Sequence, residues 1–234
     1  MSQRPGRQLS LSIKLRDHAN FENYLGDQQI VDHLHSQLQG LSGSSWFIYI
    51  WGHRATGRTH LLQASCREAN QLGYSSVYLP MSQQERLDAA VLTNLTGRDL
   101  VCFDDIEAVA RQRRWEEELF HFLNAAKDGN TRVLMSSLHP PAELQVSLAD
   151  LQSRLTAALV LRIESLSDSE KKTAIMLRAE NRGIDLSGEV ADFILKRASR
   201  NLTSLFSSLD DLDRENVRQQ RRITIPFVKQ VLDL

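Results

Sequence analysis

The sequence has little of what marks several classes of protein, and each shortage excludes one of them. Only two cysteines, Cys66 and Cys102, occur among 234 residues, too few for a disulfide framework or a cysteine-rich metal site. The longest apolar run, Trp46–Trp51, is far shorter than the roughly 20 residues that span a bilayer. No apolar segment follows the charged N-terminus, so no secretory signal is predicted. These shortages predict a cytoplasmic protein with no membrane partner.

An excess of charge of one sign is also lacking. Lysine and arginine total 28, aspartate and glutamate total 29, and the formal net charge is −1. A sustained positive field for wrapping duplex DNA is therefore absent, and we predict no strong autonomous binding to duplex DNA. The 41% hydrophobic and 24% charged content is that of an ordinary globular protein.

The sequence does contain a regular alternation of strand-like and helix-like segments. Short β-prone runs lie at Trp46–Trp51, Ser76–Pro80, Leu100–Phe103 and Arg132–Ser136. Helical periodicity lies between them, over residues 59–72 and 115–127. Connections of this length imply parallel pairing, so the pattern predicts an α/β fold with a parallel sheet covered by helices.

After about Leu166 the pattern changes from alternating to purely helical. Apolar spacing predicts helices over residues 168–181, 190–197 and 202–217, with a short final helix beginning at Pro226. We therefore expect three parts: a flexible arm over residues 1–20, an α/β domain over residues 21–165 and a small all-helical domain over residues 166–234.

The segment Gly52–Thr59 carries the clearest chemistry. It follows a buried strand, opens a helix and fits the phosphate-loop pattern G-x-x-x-x-G-[K/R]-[ST]. Backbone amides and the positive helix terminus bind phosphate oxygens there, while Thr59 offers a hydroxyl to Mg²⁺. Arg58 takes the usual lysine place, so we expect nucleotide binding to survive and catalytic geometry to suffer. The predicted nucleotide-binding residues of this loop are Gly52, His53, Arg54, Ala55, Thr56, Gly57, Arg58, Thr59 and His60.

Two acidic residues follow the strand at 100–103. Asp104 occupies the place where phosphate-loop proteins hold Mg²⁺ through water, and we predict that role. Asp105 follows at the position where many ATPases carry a water-activating glutamate, with a side chain one methylene shorter. We predict a catalytic role for it.

Arg154 lies in the segment Leu151–Leu155, near the boundary between the α/β part and the helical part. An arginine at such an edge can reach the γ-phosphate of a neighbouring molecule, where a cation in trans accelerates hydrolysis about 10³–10⁵-fold in other nucleotide triphosphatases. We therefore predict a trans-acting finger.

Taken together, these motifs resemble the Hda-like, DnaA-related AAA+ regulators of bacterial replication initiation. The resemblance spans nearly the whole chain and rests on the phosphate loop, on residues 100–106 and 151–155, and on residues 223–229. It implies a P-loop AAA+ domain followed by a helical lid, with the base near Tyr24 and Leu25. It also gives meaning to Gln8, Leu9, Ser10 and Leu11, which are similar to the peptide that docks on the bacterial sliding clamp.

The resemblance implies a function in negative regulation. Hda-like proteins, in the ADP form and loaded on the DNA polymerase sliding clamp, engage an ATP-bound DnaA-type initiator and promote its ATP hydrolysis. Arg154 would act on the partner's nucleotide, while this chain's own site would hold ADP or ATP, with ADP favoured, together with Mg²⁺. Nucleoid association on the clamp is also implied, and self-association is left open.

Some positions depart from the family pattern. Ser136 and Ser137 are the nearest candidates for the sensor side chain, and Leu138 stands where relatives are acidic. Thr203 stands where a lid arginine often contacts phosphate, with Arg200 as a candidate replacement. These departures predict weak or no intrinsic ATPase activity.

Two other functions fit the phosphate loop. The alternative is a self-contained AAA+ ATPase of the helicase-loader or remodelling type, which vigorous turnover without a partner would favour. A small-molecule kinase is a third reading, against which the separate helical part and the lack of an acceptor-binding insertion argue.

Overall fold

The computed structural model of the protein describes residues 19–40, 46–197, 202–219 and 221–234. The strands of the described residues are β1 Phe47–Gly52, β2 Ser76–Pro80, β3 Leu100–Asp104, β4 Arg132–Ser137 and β5 Leu159–Ile163. They form one sheet in the order β2-β3-β4-β1-β5, and every neighbouring pair is parallel. The predicted α/β fold with a parallel sheet is confirmed.

The helices fall into two groups along the chain. Those of the sheet layer are α1 Gln28–Gln39, α2 Arg58–Gln71, α3 Arg113–Asp128 and α4 Ala149–Thr156. Those of the C-terminal part are α5 Asp168–Glu180, α6 Gly188–Arg197, α7 Leu202–Gln219 and α8 Ile225–Leu232. Short 3₁₀ helices lie at Met81–Arg86, Ala89–Leu95, Ile106–Val109 and Pro141–Glu143.

The sheet has a core on each face because its strands are apolar at successive positions. On β1, Ile48 and Ile50 pack in the cluster that α1 and α2 cover. Tyr49, between them, packs in the cluster on the side of α3 and α4. On β4, Leu134 faces α2 while Met135 faces α3. This alternation decides which polar side chains at the strand ends meet.

The C-terminal helices have a core of their own. Ser167 and Glu170 form a capping box that begins α5, as the Ser167-Asp168 sequence predicts. Buried apolar side chains of α5, α6, α7 and α8 then pack together, among them Ile175, Ala191 and Leu209. Among the described residues, no helix combines the length and the apolar character that crossing a bilayer requires.

Two elements differ from the sequence prediction. The four predicted strands are present, but β5 is a fifth one, and α4 is a helix that the periodicity does not predict. β5 lies at the sheet edge, where Leu159 is 46% exposed and Val160 is 38% exposed. An edge strand that leaves apolar side chains in water lacks the burial pattern by which strands are recognised.

Candidate nucleotide-binding site

The turn from β1 into α2 is built around two glycines that no larger residue can replace. Gly57 adopts a φ of +99°, and a Cβ there would lie 2.6 Å from Cε2 of Tyr24. A Cβ on Gly52 would lie 2.6 Å from the carbonyl oxygen of Ile163. Because Gly57 offers no side-chain cap to α2, the first amides of that helix are available to an anion.

Asp104 is the centre of the hydroxyl cluster at this site. Its carboxylate is 2% exposed at the carboxyl end of β3. Oδ2 accepts hydrogen bonds from Thr59 Oγ1 at 2.7 Å and from the Tyr78 hydroxyl at 2.7 Å. Oδ1 accepts a hydrogen bond from the Ser136 hydroxyl. The structure thus brings the two residues predicted to hold Mg²⁺, Thr59 and Asp104, into direct contact.

These donor atoms fit a magnesium ion. Carboxylate and hydroxyl oxygens are the hard ligands that Mg²⁺ accepts, usually alongside several waters and the phosphates of the substrate. Thr59 donates its proton to Asp104, which leaves the lone pairs of its oxygen for a metal.

Arg58 is held by acidic residues. Its Nη2 lies 3.2 Å from Oδ1 of Asp105, and its Nη1 lies 3.9 Å from Oε1 of Glu107. Only 9% of the Arg58 side chain is exposed. Arg58 is among the nucleotide-binding residues predicted from the sequence, whereas Glu107, in the 3₁₀ helix after β3, is not predicted.

Asp105 has an unusual backbone conformation and a raised side-chain pKa. Its φ is +55°, in the left-handed region that a non-glycine residue rarely adopts. Burial first, and then the neighbouring Asp104 carboxylate, raise the pKa of Asp105 to about 6, while Arg58 opposes that rise. The raised pKa by itself suits a general base, but the Asp105 carboxylate is already paired with Arg58.

The two sensor candidates point to opposite faces of the sheet. Ser136 contacts Asp104 and also accepts a hydrogen bond at 3.1 Å from the backbone amide of Asp105. Ser137 instead accepts one at 3.2 Å from the amide of His139. Of the two, only Ser136 joins the hydroxyl cluster, because adjacent residues of a strand alternate in direction.

A cleft of about 890 Å³ opens between the phosphate loop and the C-terminal helices. Its walls come from residues 19–25, the loop, α5 and α7. The lining residues are Ala19, Asn20, Glu22, Asn23, Tyr24, Leu25, Ala55, Thr56, Gly57, Arg58, Thr59, His60, Ala174, Leu177, Arg178, Asn181, Arg182, Leu202, Phe206, Ser207 and Asp210. A volume of this size accommodates a nucleotide.

Tyr24 is the aromatic residue of the cleft wall that lies against the loop. It is 6% exposed, its ring packs 5.7 Å from that of His60, and its hydroxyl has no hydrogen-bond partner among the described residues. His60 Nε2 lies 2.7 Å from the carbonyl oxygen of Asn20. Leu25 lines the same cleft, whereas His53 and Arg54 are exposed and do not line it.

The opposite wall carries two arginines that the sequence analysis does not predict. Arg178 of α5 and Arg182, in the turn that follows α5, both pair with Asp210 of α7, with Arg178 Nη2 at 3.3 Å from Oδ1. The Arg178 guanidinium also lies 4.5 Å from the ring centre of Phe206. No motif of the sequence marks either arginine, so sequence reasoning had no signal for them.

The predicted finger, Arg154, lies away from this cleft. Arg154 is half-buried on α4, does not line the cleft, and makes no ion pair with any described residue. Arg200 and the segment Gln8, Leu9, Ser10 and Leu11 lie outside the described residues.

The fold and the site define a class of protein. A parallel sheet with a phosphate loop after β1, an acidic residue after β3 and a helical lid across the cleft make the chain a P-loop AAA+ protein. Residues 43–162 match the family of the bacterial DnaA ATPase domain, and residues 168–232 match the lid domain of Hda. The chain belongs to the DnaA-related AAA+ family, in its Hda-like group.

Comparison with single proteins agrees with this assignment. A protein of Haemophilus influenzae, described only as uncharacterized, is 38% identical over 231 residues, which cover 97% of this chain and 99% of that protein. Domain III of Thermotoga maritima DnaA is 20% identical with a TM-score of 0.80, over 94% of this chain and 98% of that one. Aquifex aeolicus DnaA, whose structure contains AMPPCP, is 24% identical with a TM-score of 0.71, over 84% and 65%.

Proposed function

We propose that the protein is a nucleotide-binding regulator of bacterial replication initiation, which acts with the sliding clamp to promote ATP hydrolysis by a DnaA-type initiator. One observation carries this proposal. The chain has a cleft of about 890 Å³ beside the phosphate loop, and it also has an arginine, Arg154, that lies outside that cleft without an ion pair to any described residue. In this proposal a nucleotide in the cleft sets the conformation of this chain, while Arg154 acts on the nucleotide of another molecule.

The residues around Arg58 argue for a ligand site with weak hydrolysis. Arg58 is paired with Asp105 and lies beside Glu107. The guanidinium and the predicted water-activating carboxylate therefore bind each other and are less free to act on a phosphate or a water. ADP has no γ-phosphate, so its binding requires neither an activated water nor a contact at the γ-position. ADP is therefore the favoured resident nucleotide.

Mg²⁺ would accompany the nucleotide. Thr59 would hold it directly and Asp104 through water, and the bound ion would neutralise phosphate charge. Within the chain, Thr59 and Asp104 already share a hydrogen bond of 2.7 Å.

Arg154 would complete the initiator's own active site. A guanidinium presented to the γ-phosphate of a neighbouring ATP stabilises the charge that develops during hydrolysis, worth about 10³–10⁵ in rate in other systems. Arg154 occupies the last turn of α4.

The test is initiator-bound ATP hydrolysis in the presence of clamp-loaded protein. Arg154→Ala should abolish stimulation while ADP binding to the variant stays at the wild-type level. Arg113→Ala is the control, because Arg113 is 78% exposed on α3 and pairs only with Glu117 among the described residues. Undiminished stimulation by Arg154→Ala would refute the finger assignment.

The clamp contact is proposed from Gln8–Leu11 alone. The glutamine amide would anchor at one polar spot of the clamp, and the leucines would fill an apolar pocket. Deletion of residues 1–15 should remove the protein from clamp pull-downs and leave its ADP affinity unchanged. Clamp binding by the truncated protein would show that the contact lies elsewhere.

A second candidate function is a self-contained AAA+ ATPase, favoured by the assembled contacts of Thr59, Asp104 and Ser136. Turnover by the purified chain separates the two. Vigorous hydrolysis of ATP without a partner would favour the second candidate, and negligible hydrolysis favours the regulator.

A further inference from the structure

Tyr78 reaches the acidic centre of the site from a strand outside every nucleotide motif of the chain. It lies on β2, which pairs with β3 so that Tyr78 stands beside Cys102 and Pro80 beside Asp104. The tyrosine side chain is long enough to reach from position 78 to Asp104, two positions away in the strand register. Its hydroxyl donates a hydrogen bond to Oδ2 of Asp104 at 2.7 Å. The ring itself packs against the apolar cluster under α2.

A second buried side chain supports Tyr78. Gln63 is 4% exposed, and it shares a hydrogen bond with the Tyr78 hydroxyl. Thr59 and Gln63 are four residues apart on α2, so they lie one turn apart on the same face. The helix therefore holds Asp104 directly through Thr59, and indirectly through Gln63 and Tyr78.

The geometry points to Tyr78 as a positioning residue, which fixes the Asp104 carboxylate in the orientation that a metal-bound water requires. This inference rests on the proposed nucleotide function, and it adds to the magnesium site a residue of β2 that touches neither nucleotide nor metal.

The hydrogen-bond capacity of a carboxylate explains the effect. Two carboxylate oxygens offer about four acceptor positions, and in Asp104 three of them are taken by the hydroxyls of Ser136, Thr59 and Tyr78. One position is then left for a water of the metal. Groups that hold a ligating carboxylate in this way typically contribute about 10–100-fold to metal affinity.

The phenol is suited to this role because it stays a donor. A tyrosine hydroxyl is protonated across the physiological range of pH, because the ordinary pKa of tyrosine is about 10. Packing alone would not require that hydroxyl, since phenylalanine would fill the same apolar space.

The test is the magnesium dependence of ADP binding to the full chain, measured by calorimetry in EDTA and across a Mg²⁺ titration. Tyr78→Phe should leave ADP affinity in EDTA within about twofold of wild type. The same variant should weaken the Mg²⁺ affinity of the protein–ADP complex about tenfold. Tyr74→Phe is the matched control, because Tyr74 packs against the same cluster and is not among the described residues that donate a hydrogen bond to Asp104. It should change neither quantity.

Gln63→Leu gives a second test, since it removes the hydrogen bond to Tyr78 while keeping side-chain volume. It should weaken Mg²⁺ affinity in the same direction, by a smaller factor. Wild-type or tighter Mg²⁺ affinity in folded Tyr78→Phe would overturn the inference alone. A wild-type chain that binds no nucleotide in either buffer would overturn the proposed function and this inference with it.

Discussion

Arg58 is paired with two carboxylates across the base of the phosphate loop. Its planar guanidinium spans Asp105 and Glu107, a geometry that a single lysine ammonium does not provide. Nη1 of Arg58 and Oε2 of Glu107 are nevertheless buried without hydrogen-bond partners among the described residues. A phosphate oxygen would satisfy Nη1, so the network is arranged to receive an anion.

The acidity of Asp105 gives a prediction about stability. Its pKa in the folded protein is about 6, above the ordinary value, so the folded state binds more protons than the unfolded state between about pH 4 and 6. Stability therefore falls as pH rises through that window. Asp105→Asn should remove this loss, on the order of 1 kcal/mol after solvent screening, or roughly 2–4 °C in Tm.

Thermal unfolding of the nucleotide-free protein in EDTA, at pH 4.5 and 6.5, measures that effect. Asp233→Asn, at the distant C-terminal end of α8, is the control and should leave the pH dependence as it is. A variant at position 105 that keeps the wild-type pH dependence would contradict the assignment.

Gly57 gives the sharpest steric prediction. Gly57→Ala adds a Cβ at a φ of +99° and 2.6 Å from the Tyr24 ring, so either the loop or the ring must move. We expect ADP affinity to fall at least about 100-fold, a loss of about 2.7 kcal/mol. Isothermal titration calorimetry measures the change in ADP affinity.

Gly97→Ala separates the two causes of that loss. Gly97 also has a positive φ, +84°, but a Cβ there meets nothing within 4 Å. It should destabilise the fold by about 1 kcal/mol and leave ADP affinity unchanged. Equal losses of affinity in both variants would mean that the Tyr24 contact is irrelevant.

Single residues of the site were predictable where a motif fixes their position. The Thr59–Asp104 contact follows from the loop pattern and from an acidic residue after a buried strand. Tyr78 and Glu107 were not predictable, since their roles depend on strand register and on a 3₁₀ turn. The separation of Ser136 from Ser137 follows from strand alternation once β4 is known.

At the scale of elements, Glu116 links α3 to the helix that carries Arg154. Its side chain is 1% exposed and accepts hydrogen bonds from the backbone amides of Arg111, Ser147 and Leu148. Leu148 is the residue directly before α4. The start of α4 is therefore fixed to α3 by one buried carboxylate.

Removal of that charge should loosen α4. Glu116→Gln should cost about 2 kcal/mol, or roughly 4–8 °C in Tm, because a neutral amide accepts fewer and weaker hydrogen bonds. Glu117→Gln, whose carboxylate is 44% exposed beside Arg113, should cost less than about 0.5 kcal/mol. Differential scanning calorimetry compares them, and equal Tm values would contradict the role of Glu116.

Arg178 of α5 and Arg182, in the turn after α5, supply the cations of the second cleft wall. Arg182→Ala should weaken ADP binding about tenfold, because the variant removes a cation that lines the cleft and leaves Asp210 with less compensation. Arg214→Ala is the control, since Arg214 is 77% exposed on α7 and pairs with Asp211. An Arg182→Ala chain with wild-type affinity would place the nucleotide away from α5.

Strands and helices were predictable from the sequence where burial gives them a recognisable pattern of apolar residues. β1, β3 and β4 are apolar on both faces and are evident in the sequence, whereas β5 is exposed at the edge. α4 is only eight residues long, about two turns, which is too short for helical periodicity to be recognised.

On the scale of the whole molecule, the sheet layer and the C-terminal helices meet at the cleft beside the phosphate loop. The sheet layer packs its clusters on both faces, and the four C-terminal helices pack another. A nucleotide in the cleft would contact both parts at once, through the loop on one side and α5 and α7 on the other. Its binding would therefore stabilise the arrangement of lid and sheet by mass action.

The family and the fold were predictable from the sequence, because phosphate loop, strand-end acids and lid lie in one order along the chain. The composition of the lid wall was not predictable. It depends on how α5 and α7 pack. From the sequence, Thr203 stands in the usual place of the lid arginine and Arg200 is the candidate replacement, whereas the structure places Arg178 and Arg182 in the cleft.

The central claim is that Gly52–Thr59 is an anion cradle whose nucleotide joins the two parts of the molecule. Isothermal calorimetry of the full chain with ADP and ATP in Mg²⁺ tests it most directly. The account predicts saturable binding at one site per chain, tighter for ADP, and lost in Gly57→Ala. A folded wild-type chain that takes up neither nucleotide would contradict it.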